Sequence, residues 1–528
     1  MKHKLLSILL CLAMALTLLP TAALAEGEAA EGSGTPAAKY VAQIGSTGYA
    51  TLQEAVNAAT EGQTVTLLED VSVNSLITVA HDITIDLDQK TITGGTLAKV
   101  FATKPGTDVT IQNGTINADQ NGSAVYAYGT LSLKNMKISG AAKQFSLLYV
   151  ENGSDVTVDK DSVISASTVR GDYPAVFVGI QNASADKEQS LHIYGSIKAG
   201  GTPAIQGNGT DRSVTRIDIY DGATVESQTV ACYLPQPCEV NIRGGVVKGY
   251  CALGIKSGTF NISGGTVQGV ANDSNISDVH STTNGINCDG SAILIDSYIG
   301  YAGQVQVNIS DNAKVESLHS TAIREIGNTA SKTNLVALNV TGGQVIGASG
   351  KDAILVRDVT KPTVTVSGGT FSSDVSAYCE KNYYTEQNAD NTYTVKSMKD
   401  VAVAKIGDTY YKSLVDAYAA LPRGEGAALS EPTTITLLKD SEGGGIGSDK
   451  TDNYMNYVID FNGHTYTVGA PAVGSTGTVS QGIRVLKTST AKFMNGTLKA
   501  ANYNQLIQVV HTYGDVTFQD FTVDANIA

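Results

Sequence analysis

Phe260-Asn-Ile-Ser-Gly-Gly-Thr-Val267 alternates apolar and polar residues, breaks at a glycine pair, and alternates again. Alternation at period two describes a strand with one buried face. A Gly-Gly step admits the positive φ of a sharp corner without a Cβ penalty. The unit is therefore strand, corner, strand. Val364-Thr-Val-Ser-Gly-Gly-Thr-Phe371 nearly repeats it, and Val240–Val247 and Leu338–Val345 are variants. Asp221-Gly222-Ala223 and Asp311-Asn312-Ala313 supply a second form of corner, each leading into Val-Glu-Ser. Asp-Gly and Asp-Asn are turn dipeptides that tolerate left-handed backbone.

Aligning the apolar centre of the first strand gives Ile85, Ile111, Leu133, Val158, Ile193, Ile219, Ile242, Ile262, Ile309, Val340 and Val366. The steps between them run from 20 to 47 residues, most of them in the twenties. A third strand opens on alanine plus an apolar residue at Ala124, Ala175, Ala204, Ala252, Ala292, Ala322 and Ala353. A repeat of this length, with about three short strands and no helix, is the signature of a β-helix. One rung cannot bury its own apolar side chains. Stacked about 4.8 Å apart, successive rungs form parallel sheets around one core, and eleven of them make a rod on the order of 50 Å long. Longer steps are loops thrown outward, the largest between Ile262 and Ile309.

The ends of the repeat carry different signals. Thr51-Leu-Gln-Glu54 is a capping box, and Leu52, Ala55, Val56 and Ala59 follow at helical spacing. A lone helix with one apolar face predicts a lid over the first rung. Asp374–Val395 breaks the pattern and is expected to close the solenoid with a helix or turn and a last strand. The opening then recurs. Val403-Ala-Lys-Ile-Gly407 matches Val41-Ala-Gln-Ile-Gly45, and Ser413–Asp416 is read as a second capping box. Ile459-Asp-Phe-Asn-Gly-His-Thr answers Ile85-Asp-Leu-Asp-Gln-Lys-Thr. The expected division is an export signal over 1–25, a flexible leader over 26–38, a first β-helix module over 39–398, and the start of a second over 399–528. The second is expected to continue beyond Ala528.

The export signal rests on Lys2, His3 and Lys4, the apolar run Leu5–Leu19, and Ala23-Leu-Ala25 as a cleavage site. It implies a secreted or cell-surface protein with no membrane insertion after cleavage. The formal net charge is −14, with no basic run after the N-terminus, which excludes a nucleic-acid partner. Five cysteines remain after cleavage, an odd and sparse set. Cys232 and Cys238 flank a short loop and either pair across it or are buried small hydrophobes on neighbouring rungs. Asp86-x-Asp88 reads as turn chemistry rather than a metal site, because its partner Asp460-x-Asn462 drops one carboxylate. No metal or cofactor is expected; calcium is compatible with the fold, but no motif indicates it.

With these rungs, the Ile85–Ile92 opening and the Gly368–Val375 ending, the sequence resembles the right-handed parallel β-helix superfamily, also called pectate-lyase-like. More narrowly it resembles secreted, repeat-rich surface proteins of gut-type bacteria. The resemblance implies an all-β fold: a right-handed parallel β-helix with a short N-terminal capping helix, followed by the start of a second. It also implies adhesin-like or cell-envelope roles. The main expectation is a non-enzymatic binding module, monomeric, that recognises a host or environmental glycan or protein. One alternative is a carbohydrate-active enzyme, a polysaccharide lyase or hydrolase. Another is a structural stalk.

Candidate residues come from the third strand. If its Ile and Val point inward, Tyr126, Tyr128, Phe177, Tyr233, Lys256, Asp296, Arg324 and Arg357 point out. Tyr126, Tyr128, Phe177 and Tyr233 form the candidate ligand-binding aromatic ladder. Asp296, Arg324 and Arg357 fall on successive rungs as catalytic candidates. The long excursion before Ile309 offers Asp273, Asp278, His280, Asn284 and Asp289 as recognition residues on a loop.

Overall fold

The computed structural model describes residues 39–525 apart from 96, 119–121, 168–172, 180–187, 210–212, 273–284, 298–300, 302, 328–334, 357–362, 428, 448–453, 476 and 502–505. The export signal, the flexible leader, Arg357, Asp273, Asp278, His280 and Asn284 all lie outside the described residues. No helix among those described is long and apolar enough to cross a membrane. Val41–Ala528 cluster as one compact unit.

The fold is a parallel β-helix. Every residue of the first-strand alignment sits on one ladder. Ile85 faces Ile111, Ile111 faces Leu133, and the pairing continues through Val158, Ile193, Ile219, Ile242, Ile262, Ile309 and Val340 to Val366, with one register shift between Val305 and Gln306, ahead of Ile309. Val65 adds one more rung below Ile85. All of these side chains are buried in a single core. Each contributes about 1.5–3 kcal/mol by leaving water, and the covering that makes this possible comes from the rungs stacked above and below.

The glycine pair turns each rung at the end of this strand. Gly265 has φ +69, and a Cβ there would lie 2.5 Å from the Gly244 carbonyl of the rung below. At Gly264 a Cβ would fall on the carbonyl oxygen of Arg243. One glycine is needed for conformation and both are needed for close stacking.

The third strands form a separate 11-stranded parallel sheet, from Ile77–Val79 to Ile354–Leu355. Its inward row includes Phe101, Val125, Leu148, Val176 and Ile205, followed by Cys232, Leu253, Ile293 and Ile323. The rungs at Val100-Phe101 and Leu147-Leu148 lack the alanine opening expected from the sequence, because the ladder demands volume and burial there rather than a particular residue. Cys232 and Cys238 are both free and buried, the small-hydrophobe alternative. Burial pushes the Cys232 thiol up to about 12.

Helix Leu52–Ala58 starts on a full capping box: Thr51 N donates to Glu54 at 3.0 Å and Glu54 N donates to Thr51 Oγ1 at 3.2 Å. Its Leu52, Ala55 and Val56 are buried against the first rung. At the other end, a short 3-10 turn at Ser376–Tyr378 leads into an antiparallel hairpin of Tyr383–Gln387 and Tyr393–Ser397. The second strand of that hairpin pairs antiparallel with Thr370–Phe371.

The second repeat of the opening builds its own core. Ile435, Ile459, Phe493 and Phe518 stand in register, as Val65, Ile85, Ile111 and Leu133 do in the first. The second capping box is incomplete. Asp416 N donates to Ser413 Oγ at 3.0 Å, but the Asp416 carboxylate receives the Ser413 hydroxyl at 2.7 Å instead of reaching the cap N–H. Aspartate is one methylene shorter than the glutamate of the first box.

Candidate functional site

Residues that face away from the core on the third sheet alternate with those that face into it. Tyr126, Tyr149 and Phe177 share one outward row and are in register on three consecutive rungs. Tyr126 and Tyr149 stack at 4.1 Å with an interplanar angle of 16°, and Phe177 lies 5.6 Å from Tyr149. Tyr128, two residues along its strand, is 6.4 Å from Tyr126. The alanine-based pattern does not pick out Tyr149, because its rung opens on Leu147. Tyr233 does not join the ladder. Gln206 occupies the row between Phe177 and Tyr233, and Tyr233 packs instead with Val230, Cys251, Leu294 and Ile326.

The rings are largely covered. Tyr126 is 6% exposed, Tyr149 7% and Tyr233 6%, whereas Tyr128 and Phe177 are half-buried. Phe145 packs against the same group. Lys99, on the rung below, places Nζ 3.5 Å from the centre of the Tyr126 ring, a cation–π contact.

Beside the rings stands Glu151, at the end of strand Leu148–Val150 and one rung above Tyr128. Its backbone N–H donates to Ala127 O at 3.0 Å, and its carbonyl accepts from Ser154 N at 3.0 Å. Glu151 is 5% exposed, and its Oε1 has no hydrogen-bond partner among the described residues. Burial raises the carboxyl to about 7, with the Lys99 ammonium opposing. Burial, with the Tyr149 hydroxyl and Glu151 adding, also holds the Tyr126 phenol far above its ordinary value. Tyr128 is raised by burial and by Glu151. Lys99 and Glu151 lie off the alanine-based stripe that the sequence singles out. A lone Glu before Asn-Gly reads as a turn residue, so nothing in the sequence marks it.

The charged candidates assemble differently from the successive patch expected. Asp296 is two residues out of step with Arg324, which faces Leu294. Asp296 pairs instead with Lys256 on the preceding rung: Nζ to Oδ2 is 2.5 Å, and both side chains are buried. Asn287 also donates to Asp296 Oδ2. Burial lowers the Lys256 ammonium against the opposing pull of Asp296. Arg324 binds Asp289 at 2.9 Å. Of the loop candidates, Asp289 alone lies among the described residues, and it is anchored to the sheet. The Lys256–Asp296 pair and its amide form a buried polar plug, in which Asp296 Oδ1 also has no hydrogen-bond partner among the described residues. Glu151 likewise has an unpartnered oxygen among the described residues; what sets it apart is a carboxyl raised to about 7 and a half-buried neighbour in Tyr128, so it heads the candidate active site.

Asp86 does serve a turn. Its Oδ1 accepts from Asp88 N at 2.9 Å, and Asp460 Oδ1 accepts from Asn462 N at the same distance. Among the described residues no group of three or more acidic, His or Cys side chains is placed to hold a metal ion.

No family model matches the chain, and no curated protein matches it. Among solved structures it is similar to a PL6-family alginate lyase, AlyGC, in a mutant form. The identity is 9%, the match covers 89% of this chain and 74% of that one, and the TM-score is 0.38. The expectation of a non-enzymatic adhesion module is corrected here. The physical reason lies in the rings: of the four on which the binding surface is expected to stand, Tyr126 and Tyr233 are covered and only Tyr128 and Phe177 are half-buried, so no continuous aromatic ladder is open to a glycan.

Proposed function

We propose that the chain is a carbohydrate-active enzyme that works by proton transfer, with Glu151 as its acid–base group. The observation that carries this reading is a carboxyl group on a residue 5% exposed, with an unpartnered oxygen and a pKa of about 7. A general acid–base group works best with its pKa near the operating pH, and burial is the usual means of placing it there. Hydrolysis of a glycosidic bond asks for two carboxylates at a set separation. Glu151 has instead one cation, Lys99, on its flank. One base and one cation suit β-elimination from a uronate: the base takes the proton next to the sugar carboxylate, and the cation offsets the charge that develops there. The favoured member of the class is therefore a lyase of acidic polysaccharides. Tyr128 and Phe177, the half-buried rings, flank the space where a sugar would lie.

The test is depolymerisation of a panel of uronans, followed by the ultraviolet absorbance of the unsaturated product. The wild-type chain is expected to turn over at least one of them, with a rate that rises through pH about 7. Glu151→Gln is expected to slow that turnover by roughly 10²–10⁴-fold. Turnover that is unchanged in Glu151→Gln, or no turnover on any uronan, overturns the proposal.

A further inference from the structure

Two of the five cysteines among the described residues bring their sulfurs together. Cys251 opens strand Cys251–Ile255 on the third sheet and is buried. Cys288 lies in the segment that returns to the sheet ahead of strand Ile293–Ser297 and is half-buried. Their sulfurs are 2.7 Å apart, against about 2.05 Å in a formed bond. The neighbours on either side of Cys288 are tied to the sheet as well. Asn287 donates to Asp296, and Asp289 binds Arg324. Asp289 N also donates to Cys251 Sγ at 3.2 Å. Backbone and side chains therefore hold the two thiols together without any covalent link.

We infer that Cys251 and Cys288 are a disulfide-forming pair that staples the 285–291 segment over the Lys256–Asp296 plug. Cys288 is the accessible thiol and enters first. Its thiolate attacks a low-molecular-weight disulfide such as oxidised glutathione, which forms a mixed disulfide and releases one thiol. Cys251 then loses its proton and attacks the Cys288 sulfur, expelling the second thiol. Two protein thiols and one disulfide become one protein disulfide and two free thiols. Asp289 Oδ1, 3.7 Å from Cys251 Sγ, stands where that second proton would go. Without that help Cys251 is a poor nucleophile, since burial holds its thiol well above the ordinary value. The inference is independent of the reading of Glu151.

The experiment equilibrates the full chain in oxidised and reduced glutathione, quenches it with an alkylating agent, and maps the cysteines by mass spectrometry. The expected result is a peptide linking Cys251 to Cys288 in oxidised buffer, with Cys232, Cys238 and Cys379 unlinked. Cys288→Ser is expected to abolish the linked peptide and leave the other three unchanged. Asp289→Asn is expected to slow formation of the link at fixed pH while leaving its final yield intact. Full alkylation of Cys251 and Cys288 after oxidation, or a link to any other cysteine, overturns the inference.

Discussion

Asn308 donates its side-chain amide to Asn261 Oδ1 at 2.7 Å, although 47 residues separate the two in the chain. The bond is one link in a run along the outer face of the first sheet. Asn339 donates to Asn308 at 2.9 Å, Asn261 to Asn241 at 2.9 Å, and Asn241 to the buried Asp218 carboxylate at 3.0 Å. Every amide donates in the same direction, and the run ends on a negative charge, so the links polarise one another. Asn261→Ala breaks the run at its centre and leaves the oxygen of the buried Asn241 and the amide of the half-buried Asn308 unpaired. It is expected to lower stability by about 1–3 kcal/mol, read as a shift of the denaturant midpoint. A change within about 0.5 kcal/mol, ordinary for a surface site, contradicts it.

Two glycines with similar backbone angles separate conformational strain from collision. Gly62 has φ +78, and a Cβ there would meet nothing within 4 Å, whereas Gly265 has φ +69 and the Gly244 carbonyl 2.5 Å from the same position. Gly62→Ala is expected to cost about 1–2 kcal/mol from left-handed strain alone. Gly265→Ala must also push a rung apart and is expected to cost clearly more. Equal losses in thermal unfolding of the two variants contradict the close-stacking account.

Lys256 and Asp296 stabilise the sheet only as a pair. Lys256→Met strands a buried carboxylate and is expected to cost about 3–5 kcal/mol. The double change Lys256→Met with Asp296→Leu removes both charges and is expected to recover most of that loss. A double variant no more stable than the single one, measured by denaturant titration, contradicts the assignment.

Glu151 makes a pH-dependent contribution of determinate sign. Its carboxyl is raised from 4.5 to about 7 in the fold. The fold therefore prefers the protonated form, and the stability that this preference contributes is present below the unfolded value and lost as pH rises through about 7. The loss is on the order of 3 kcal/mol. Glu151→Gln removes the titration, so relative to wild type it is expected to gain stability between about pH 4.5 and about pH 8. Melting curves of both proteins at these two pH values check the sign.

The ladder was legible because burial on one face leaves a period-two trace that each rung must repeat. All eleven aligned first-strand residues, from Ile85 to Val366, proved to be in register. The corner glycines were legible for the same reason, since only Gly fits where rungs nearly touch. The outer face left no such trace. Side chains there answer to neighbours on adjacent rungs, which lie twenty to fifty residues away in the chain. Asp296 could be seen to point outward, but not that it would meet Lys256 rather than Arg324. Glu151 was invisible because its environment is made by Tyr126, Tyr128 and Lys99, which stand beside it only once the rungs are stacked.

The first-strand register between Ile262 and Ile309 is kept although the chain between them is the longest in the repeat. Registration is set by the ladder and is indifferent to the length of chain between rungs. The part of that excursion after Ala271 and ahead of Asn287, from which the chain is tied back to the sheet, is accordingly a natural splice point for an engineered cargo. A fluorescent or enzymatic domain grafted there would leave both flanking strands where they are, and the solenoid would carry it as a display scaffold.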